Sequence, residues 1–193
     1  MVGMTPSSIL SATYVQHLHL LANWLTKARD QLGDAAAQDL LVSRIAPDMF
    51  PLATQVRFVC AQALEGTYRL REMEFPALVG EMLKEGQNAG DAPGTIDSAL
   101  ARIEQTITVV EKLLNPAKVD APDRPVAHSL PIGIVFDVTL EQYVRDWALP
   151  QFYFHLVTAY AIMRGQGVEL GKADFVAHMF AHVRPGTLPA NMG

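Results

Sequence analysis

The sequence lacks several features that would assign the chain to a compartment other than the cytoplasm. Cys60 is the single cysteine among 193 residues, so no intramolecular disulfide bond can form, and a reducing compartment is the simpler expectation. No basic residue precedes Lys27, which argues against a secretory signal peptide. No apolar run approaches the roughly 18 residues of a membrane helix. We therefore expect a cytoplasmic protein without a membrane partner.

Basic residues are too few and too scattered for a nucleic-acid surface. The chain has 15 Lys and Arg against 20 Asp and Glu, which gives a formal net charge of -5. Proteins that bind nucleic acid normally show a basic stripe or patch, whereas the densest basic group here is Arg69 with Arg71. We expect no nucleic-acid partner.

The sequence also lacks a motif that identifies a reaction. Gly165, Gly167 and Gly171 follow a predicted helix instead of opening one, so they do not form a dinucleotide-binding loop. No Gly-x-Ser-x-Gly elbow is present. Cys60 lies on the inner face of a predicted helix, where a buried thiol is inert. Whether the chain is an enzyme therefore stays open at this point.

What the sequence does contain is helical periodicity. Half of the residues are hydrophobic, enough for a large core, and they recur at three- and four-residue steps. In the first part of the chain this spacing predicts a helix over residues 5–30 closed by Gly33, a connecting helix over 34–42, a helix from Pro47 to about Leu70 with Asp48 in its first turn, and a helix from the Thr95 cap to Leu114 stopped by Asn115 and Pro116. Residues 84–94, with three glycines and a proline, are typical of an exposed loop.

The second part of the chain begins with prolines that are too dense for a helix. Residues 126–138 can form a small hairpin around Pro131, and Thr139 with Gln142 forms a capping-box pattern. Further helices are expected from about Pro150 to Arg164 and over 172–183.

Four long helices with shorter inserts predict an all-α four-helix bundle. The length predicts a single domain over residues 1–193. Its core covers roughly residues 5–176 and is followed by a short helix and a tail over 177–193. We expect Trp24, Val56, Ile103 and His155 to point inward.

The fourth long helix carries the first candidate site. Residues 147–163 are apolar nearly all round, which predicts the most buried element. Gln151, His155 and Thr158 are its polar exceptions and fall within a sector of about 60°. Buried polar groups need partners, because an unpaired one costs about 1–3 kcal/mol. The stripe predicts either a core network, in which His155 bonds Thr158 or a tyrosine hydroxyl, or a polar pocket between helices.

The pocket interpretation brings in further residues. His17 lies on the apolar stripe of the first helix, whereas His19 falls off it and is expected in solvent. Tyr153 and Tyr160 add hydroxyl groups to the fourth helix. The candidate pocket therefore comprises His155, Gln151, Thr158, His17, Tyr153 and Tyr160.

Two separated motifs carry a family resemblance. The first is Arg44-Ile-Ala-Pro-Asp-Met-Phe-Pro-Leu followed by Gln55-Val56, and the second runs from Leu149-Pro-Gln-Phe-Tyr-Phe-His155 to Gly167-Val-Glu-Leu-Gly-Lys-Ala-Asp174. In this order they resemble DUF1993, an uncharacterised bacterial and fungal family related to the DinB-like bundles, over roughly residues 5–176. The resemblance implies a DinB-like bundle fold and no established activity.

The resemblance also bears on metal binding. Relatives in the wider DinB-like group hold a divalent metal through one histidine of the second helix and a His-x-x-x-His pair of the fourth. Here His155 matches the first member of the pair, but Ala159 occupies the second position, and the helix predicted from Pro47 to Leu70 has no histidine. One ligand of three remains, so we predict no cofactor and do not carry over the metal-dependent thiol transfer of those relatives. A divalent metal at His155 is the alternative.

A second set of metal-ligand candidates lies near the C-terminus. His178 and His182 are four residues apart, and Asp174 lies one turn earlier, so all three could share a helix face. Phe175 and Met179 also fit an ordinary amphipathic helix with a solvated polar face. Both interpretations stay open.

Self-association is the last expectation. Phe75, Leu78 and Met82 are apolar but have no place in the four stripes, and an exposed patch of this kind commonly marks an interface. We therefore predict a homodimer. The sequence favours a small-ligand-binding or dimeric interaction module that lacks the full histidine triad. The alternative is a metal-dependent or histidine-based enzyme with His155 in an inter-helix pocket.

Overall fold

The computed structural model describes residues 5–114 and 120–187, and these form a helical bundle with one small hairpin. The elements are α1 (Pro6–Leu32), α2 (Asp34–Leu40), α3 (Leu52–Leu70), α4 (Ala77–Asn88), α5 (Ile96–Leu114), β1 (Pro125–Ser129), β2 (Val135–Thr139), α6 (Leu140–Gln142), a π-helical segment (Tyr143–Ala148), α7 (Leu149–Gly165), α8 (Lys172–Phe175) and a 3₁₀ segment (Ala177–His182). Helix α3 packs against α1, α4, α5 and α7. The predicted all-α bundle is confirmed. The predicted stop at Asn115 and Pro116 and the end of the tail after Thr187 lie outside the described residues.

The helix ends that depend on local chemistry are where the sequence predicts them. Gly33 closes α1 with a φ of +81°, a conformation that glycine adopts without strain, and its N–H donates to the carbonyl of Arg29. Thr95 caps α5, since its hydroxyl accepts from the backbone N–H of Ser98 at 3.0 Å. Each cap satisfies a backbone group that the helix itself leaves unpaired.

Helix α3 begins at Leu52, so the predicted start at Pro47 is wrong. Pro51 occupies the N-cap position, and a proline disfavours the helical conformation for the residue before it, which is Phe50. A helix that started at Pro47 would have to pass through that position. Asp48 therefore lies in a turn and not in the first turn of a helix.

Helix α4 includes residues 84–88, the first part of the segment that the sequence indicated as an exposed loop. Val79, Met82 and Gly86 recur at helical spacing and are buried, and the carbonyl of Gly86 accepts a hydrogen bond of 2.8 Å from the Thr54 hydroxyl. Packing on α3 thus outweighs the low helix propensity of glycine.

The apolar surface patch predicted at Phe75, Leu78 and Met82 is wrong in part. Met82 is fully buried and Leu78 is partly buried, while Phe75 is exposed.

The predicted hairpin is confirmed and leads into the fourth long helix. Strands β1 and β2 pair antiparallel, with His128 opposite Phe136, and the Thr139–Gln142 capping box is present. The backbone then stays helical up to Gly165, so this helix begins before Pro150. A proline ring clashes with the carbonyl four residues earlier in an α-helix, and here the residue four positions before Pro150, Asp146, lies in the wider π-helical segment.

The most buried helix is α3, whereas α7 was predicted to be. Helix α7 packs mainly on α3 and α1, and its outer face leaves Phe154 57% and Val157 47% exposed. Trp24, Val56 and Ile103 are buried as predicted, whereas His155 is only partly buried. Within the described ranges, no helix combines the length and the apolar character needed to cross a membrane.

Candidate functional site

His155 lies where α7 packs against α3, and its partner is Gln55. The Nδ1 of His155 lies 2.8 Å from the Oε1 of Gln55, and the Nε2 of Gln55 donates to the carbonyl of Phe50 at 3.1 Å. Because this second bond directs the amide oxygen toward the imidazole, Nδ1 is the protonated ring nitrogen. The predicted partners, Thr158 or a tyrosine hydroxyl, are wrong.

The surroundings of His155 are aromatic. Its ring lies 5.1 Å from that of Phe58 and 5.3 Å from that of Phe154. Burial lowers the pKa of His155 to about 4, because an apolar environment disfavours the charged imidazolium. The side chain is therefore an uncharged group at the edge of the bundle.

The polar stripe of α7 is not a network. Thr158 donates to the carbonyl of Phe154 in its own helix at 2.6 Å, and Gln151 is partly exposed. Among the described residues, His155 is the one member of the stripe that bonds to another helix. The three residues share a sector of α7, as the spacing predicts, but the packing separates their roles.

His17 belongs to a different cluster from His155. Its Nδ1 donates to the carbonyl of Thr13 at 2.8 Å, and its ring contacts Tyr153 at 5.1 Å and His178 at 5.6 Å. Burial is the main reason why the pKa of His17 is lowered. The prediction that His17 joins the His155 pocket is therefore wrong. The candidate residues divide between two sides of α7.

Tyr160 lies with the His17 side of α7. Its ring contacts Trp24 at 5.4 Å and Phe175 at 5.8 Å. Phe175 also contacts the ring of His17 at 6.0 Å. These aromatic contacts attach the start of the C-terminal segment to α1 and α7, which is a packing role.

The C-terminal metal-ligand candidates do not share a helix face. The predicted helix over 172–183 is divided into α8 and the 3₁₀ segment, and in a 3₁₀ helix residues four apart lie about 120° apart around the axis. The side chains of His178 and His182 therefore lie on different faces of the 3₁₀ segment. Asp174 accepts from the Lys27 ammonium at 2.9 Å and from the N–H of Gly171 at 2.7 Å. Among the described residues, no group of three His, Cys, Asp or Glu side chains could hold a metal ion.

A cluster that the sequence did not reveal lies beneath the hairpin. The rings of His128, Phe136, Tyr143 and Trp147 surround a cavity of about 210 Å³. Both ring nitrogens of His128 and the indole Nε1 of Trp147 are buried and have no hydrogen-bond partner in the part of the chain that the structure describes. The alternation of Val126 and His128 along β1 is the signal that could have indicated that His128 points inward.

The family comparison agrees with this architecture. The model of a family described as "Domain of unknown function (DUF1993)" matches residues 8–176, which run from the first turn of α1 to the end of α8. The chain belongs to the DUF1993 family. No curated protein sequence matches it.

A solved structure places the DUF1993 fold in a wider group. The chain is similar to the crystal structure of a DinB family member protein from Shewanella denitrificans, with 26% sequence identity and a TM-score of 0.65. The match covers 93% of this chain and 93% of that one. The DinB-like bundle predicted for this DUF1993 member is therefore confirmed.

Proposed function

We propose that this protein acts as a homodimeric interaction module that pairs through the outer face of α7. The observation that carries the proposal is the exposure of two large apolar side chains of α7. Phe154 is 57% exposed and Val157 is 47% exposed. Large apolar side chains in contiguous exposed positions commonly mark an interface. Pro150 and Ala161 extend the same stripe.

The spacing of this stripe fits a second helix. Pro150, Phe154, Val157 and Ala161 follow one another at steps of four, three and four residues. This alternation is typical of the seam between two packed helices. The small side chain of Ala161 allows a partner helix to approach closely.

A second copy of the chain is the occupant that fits the stripe. In a twofold dimer the same patch serves both subunits, so each α7 would present its stripe to the other. An antiparallel pair centred between Phe154 and Val157 places Ala161 of each copy opposite Pro150 of the other. In this arrangement the small side chain of Ala161 packs against the first turn of the partner's α7.

The surface continues beyond α7. The half-exposed Phe50 contacts Phe58 at 5.6 Å, and Phe58 in turn contacts the ring of His155 beside Phe154. A stable interface covers about 800 Å² on each partner, and the segment before α3 supplies area that a single helix lacks. His155 can be covered there without the burial of a charge, because its low pKa keeps it neutral.

Cross-linking tests the proposed position of the interface. Cys60 is buried and burial raises its thiol pKa to about 11, so a cysteine introduced at the surface is the reactive one. We expect Val157→Cys and Phe154→Cys to form disulfide-linked dimers under mild oxidation. Gln16→Cys, at an exposed position of α1, is the matched control and should stay monomeric. Equal cross-linking of all three variants, or of none, would contradict the proposal.

A further inference from the structure

The tip of the hairpin exposes apolar side chains. Ile132 is 77% exposed, and Ile134, Val135 and Phe136 are between 41% and 53% exposed. No charged residue occurs from Ser129 to Phe136. Contiguous exposed apolar side chains commonly mark an interaction site. The tip is therefore a candidate contact surface.

A second apolar patch lies in the 42–50 segment, which connects α2 to α3 without a helix or strand. Val42, Ile45 and Phe50 of this segment are 43%, 55% and 50% exposed. Its two charged residues, Arg44 and Asp48, are of opposite sign. The segment therefore adds no net charge to a surface that covers it.

The two patches lie toward opposite ends of α7. Helices α3 and α7 run in opposite directions, because Gln55 near the start of α3 bonds to His155, whereas Arg69 near its end lies over Tyr143, which precedes α7. The 42–50 segment leads into the start of α3, and the hairpin is attached to its end. Both patches are exposed in one subunit, so they do not cover each other there.

Both patches lie on the side of α7 that α3 covers. The Nη1 of Arg69 donates to the carbonyl of Ala127 in β1 at 3.2 Å, which attaches the hairpin to α3. The ring of Phe50 contacts Phe58 of α3 at 5.6 Å. On its opposite side α7 contacts α1, where Tyr153 meets His17. The patches therefore flank the same edge of the exposed stripe of α7.

We infer that in the proposed dimer the hairpin tip of each subunit packs against the 42–50 segment of the other. A twofold axis between two antiparallel α7 helices keeps the α3 sides of both subunits on one side of the seam. It also places the start of one α7 beside the end of the other. The tip of one subunit then faces the partner's 42–50 segment, and this contact rests on the α7 pairing proposed above.

The contact supplies interface area and specifies the orientation of the pair. A stable interface covers about 800 Å² on each partner, and a twofold dimer contains the contact twice. Apolar side chains are exposed on both patches, so their burial is favourable. A parallel pair of α7 helices would place each tip beside the other tip, and the two 42–50 segments would stay exposed.

A cysteine pair on two different subunits tests the contact. Ile132→Cys co-expressed with Ile45→Cys should form a disulfide-linked dimer under mild oxidation, and peptide mapping should join positions 132 and 45. The buried Cys60 does not compete. Met179→Cys co-expressed with Ile45→Cys is the matched control, because Met179 is also exposed, 52%, but follows His178 on the α1 side. It should give no such link.

The Val157→Cys variant separates this contact from the dimer itself. A linked Val157→Cys dimer without a link between positions 132 and 45 would overturn the hairpin contact and leave the α7 pairing in place. The absence of both links would contradict the dimer and the hairpin contact together. A link of equal yield in the Met179→Cys control would also overturn the contact.

The strength of the dimer provides a second measurement. Ile132→Ser changes a side chain that is 77% exposed, so the fold should be unaffected. We expect the Kd of the dimer in sedimentation equilibrium to rise at least tenfold, which corresponds to about 1.4 kcal/mol. Met179→Ser should leave it unchanged. An unchanged Kd in Ile132→Ser would contradict the contact.

A membrane surface is the other occupant that the experiments must distinguish. The formal net charge of -5 disfavours an anionic bilayer, which attracts basic segments. Wild-type protein should therefore stay in solution when vesicles of phosphatidylcholine and phosphatidylserine are sedimented. Sedimentation of the wild type but not of Ile132→Ser with these vesicles would assign the tip to a membrane and overturn the contact between subunits.

Discussion

The imidazole of His155 donates a hydrogen bond of 2.8 Å to the side-chain oxygen of Gln55, a residue 100 positions earlier in the chain. The bond joins α7 to α3, and through Gln55 it also reaches the carbonyl of Phe50. It therefore ties together the parts of the surface that we propose as the dimer interface. The imidazole takes part as a neutral donor.

The stability of the chain should depend on pH through His155. Its pKa is about 4 in the folded chain and about 6.5 in an unfolded one. Between these values the unfolded chain binds more protons, so its free energy falls relative to that of the folded chain as the pH is lowered. The stabilisation is fully present above about pH 6.5 and is lost progressively toward pH 4. Chemical denaturation at several pH values measures it.

Replacement of His155 separates its contribution to the pH dependence of stability from that of His128, whose pKa is also about 4. His155→Ala should cost about 1–2 kcal/mol near pH 7, since a partly buried ring and one hydrogen bond are lost, and much less at pH 4.5. His19→Ala is the control and should change the free energy of unfolding by less than about 0.5 kcal/mol. A cost for His155→Ala that does not vary with pH would contradict the assignment.

Two glycines of α4 should respond oppositely to alanine. A Cβ at Gly86 would lie 2.7 Å from Cδ1 of Phe58 and 3.2 Å from Cβ of Arg57, whereas one at Gly80 would meet nothing within 4 Å. Gly86→Ala should therefore destabilise the chain by about 1–3 kcal/mol. Gly80→Ala should stabilise it by about 0.5–1 kcal/mol through helix propensity. Thermal melts of both variants check the packing of α4; equal shifts would contradict it.

Glu85 should contribute more to the stability of the fold than Glu81, one turn earlier in α4. It pairs with Arg102 and with Arg57, whose side chain is only 5% exposed. Burial alone would raise the pKa of Glu85, but hydrogen bonds from the two guanidinium groups lower it overall. We expect Glu85→Gln to cost about 1–2 kcal/mol, because it leaves a buried charge less well paired. Glu81→Gln removes an exposed carboxylate 3.8 Å from Arg102 and should cost less than about 0.5 kcal/mol. Similar costs would argue against a stronger pairing of Glu85 with the buried guanidinium of Arg57.

Metal binding at His155 is tested on protein prepared without a histidine tag. One neutral imidazole whose Nδ1 already donates to Gln55 offers a single ligand atom, and zinc sites use three or four protein ligands. We expect elemental analysis to give zinc, nickel and iron well below one equivalent. Stoichiometric metal that disappears in His155→Ala would support the enzyme alternative instead.

The sequence predicts best what depends on neighbouring residues. Gly33 and Thr95 end or begin their helices through bonds within one turn, so their roles can be read from spacing. Gly86 could not be interpreted in this way, because its place in a helix depends on the close approach of Phe58 from α3. Propensity alone indicates a loop at such a glycine.

The candidate site was less predictable for a related reason. Periodicity shows that Phe154 and His155 lie on an apolar helix, but it does not show which face another helix covers. The bond between His155 and Gln55 joins residues 100 positions apart, and no local pattern contains it. The cluster at His128 and Trp147 likewise requires the hairpin to fold back over the π-helical segment.

The molar mass in solution tests the proposed dimer most directly. Multi-angle light scattering at micromolar concentration should give twice the chain mass of 21.1 kDa for the wild type. Phe154→Asp, which places a charge in the proposed interface, should give 21.1 kDa, and His19→Asp should remain dimeric. A wild-type mass of 21.1 kDa, or an unchanged dimer in Phe154→Asp, would contradict the account.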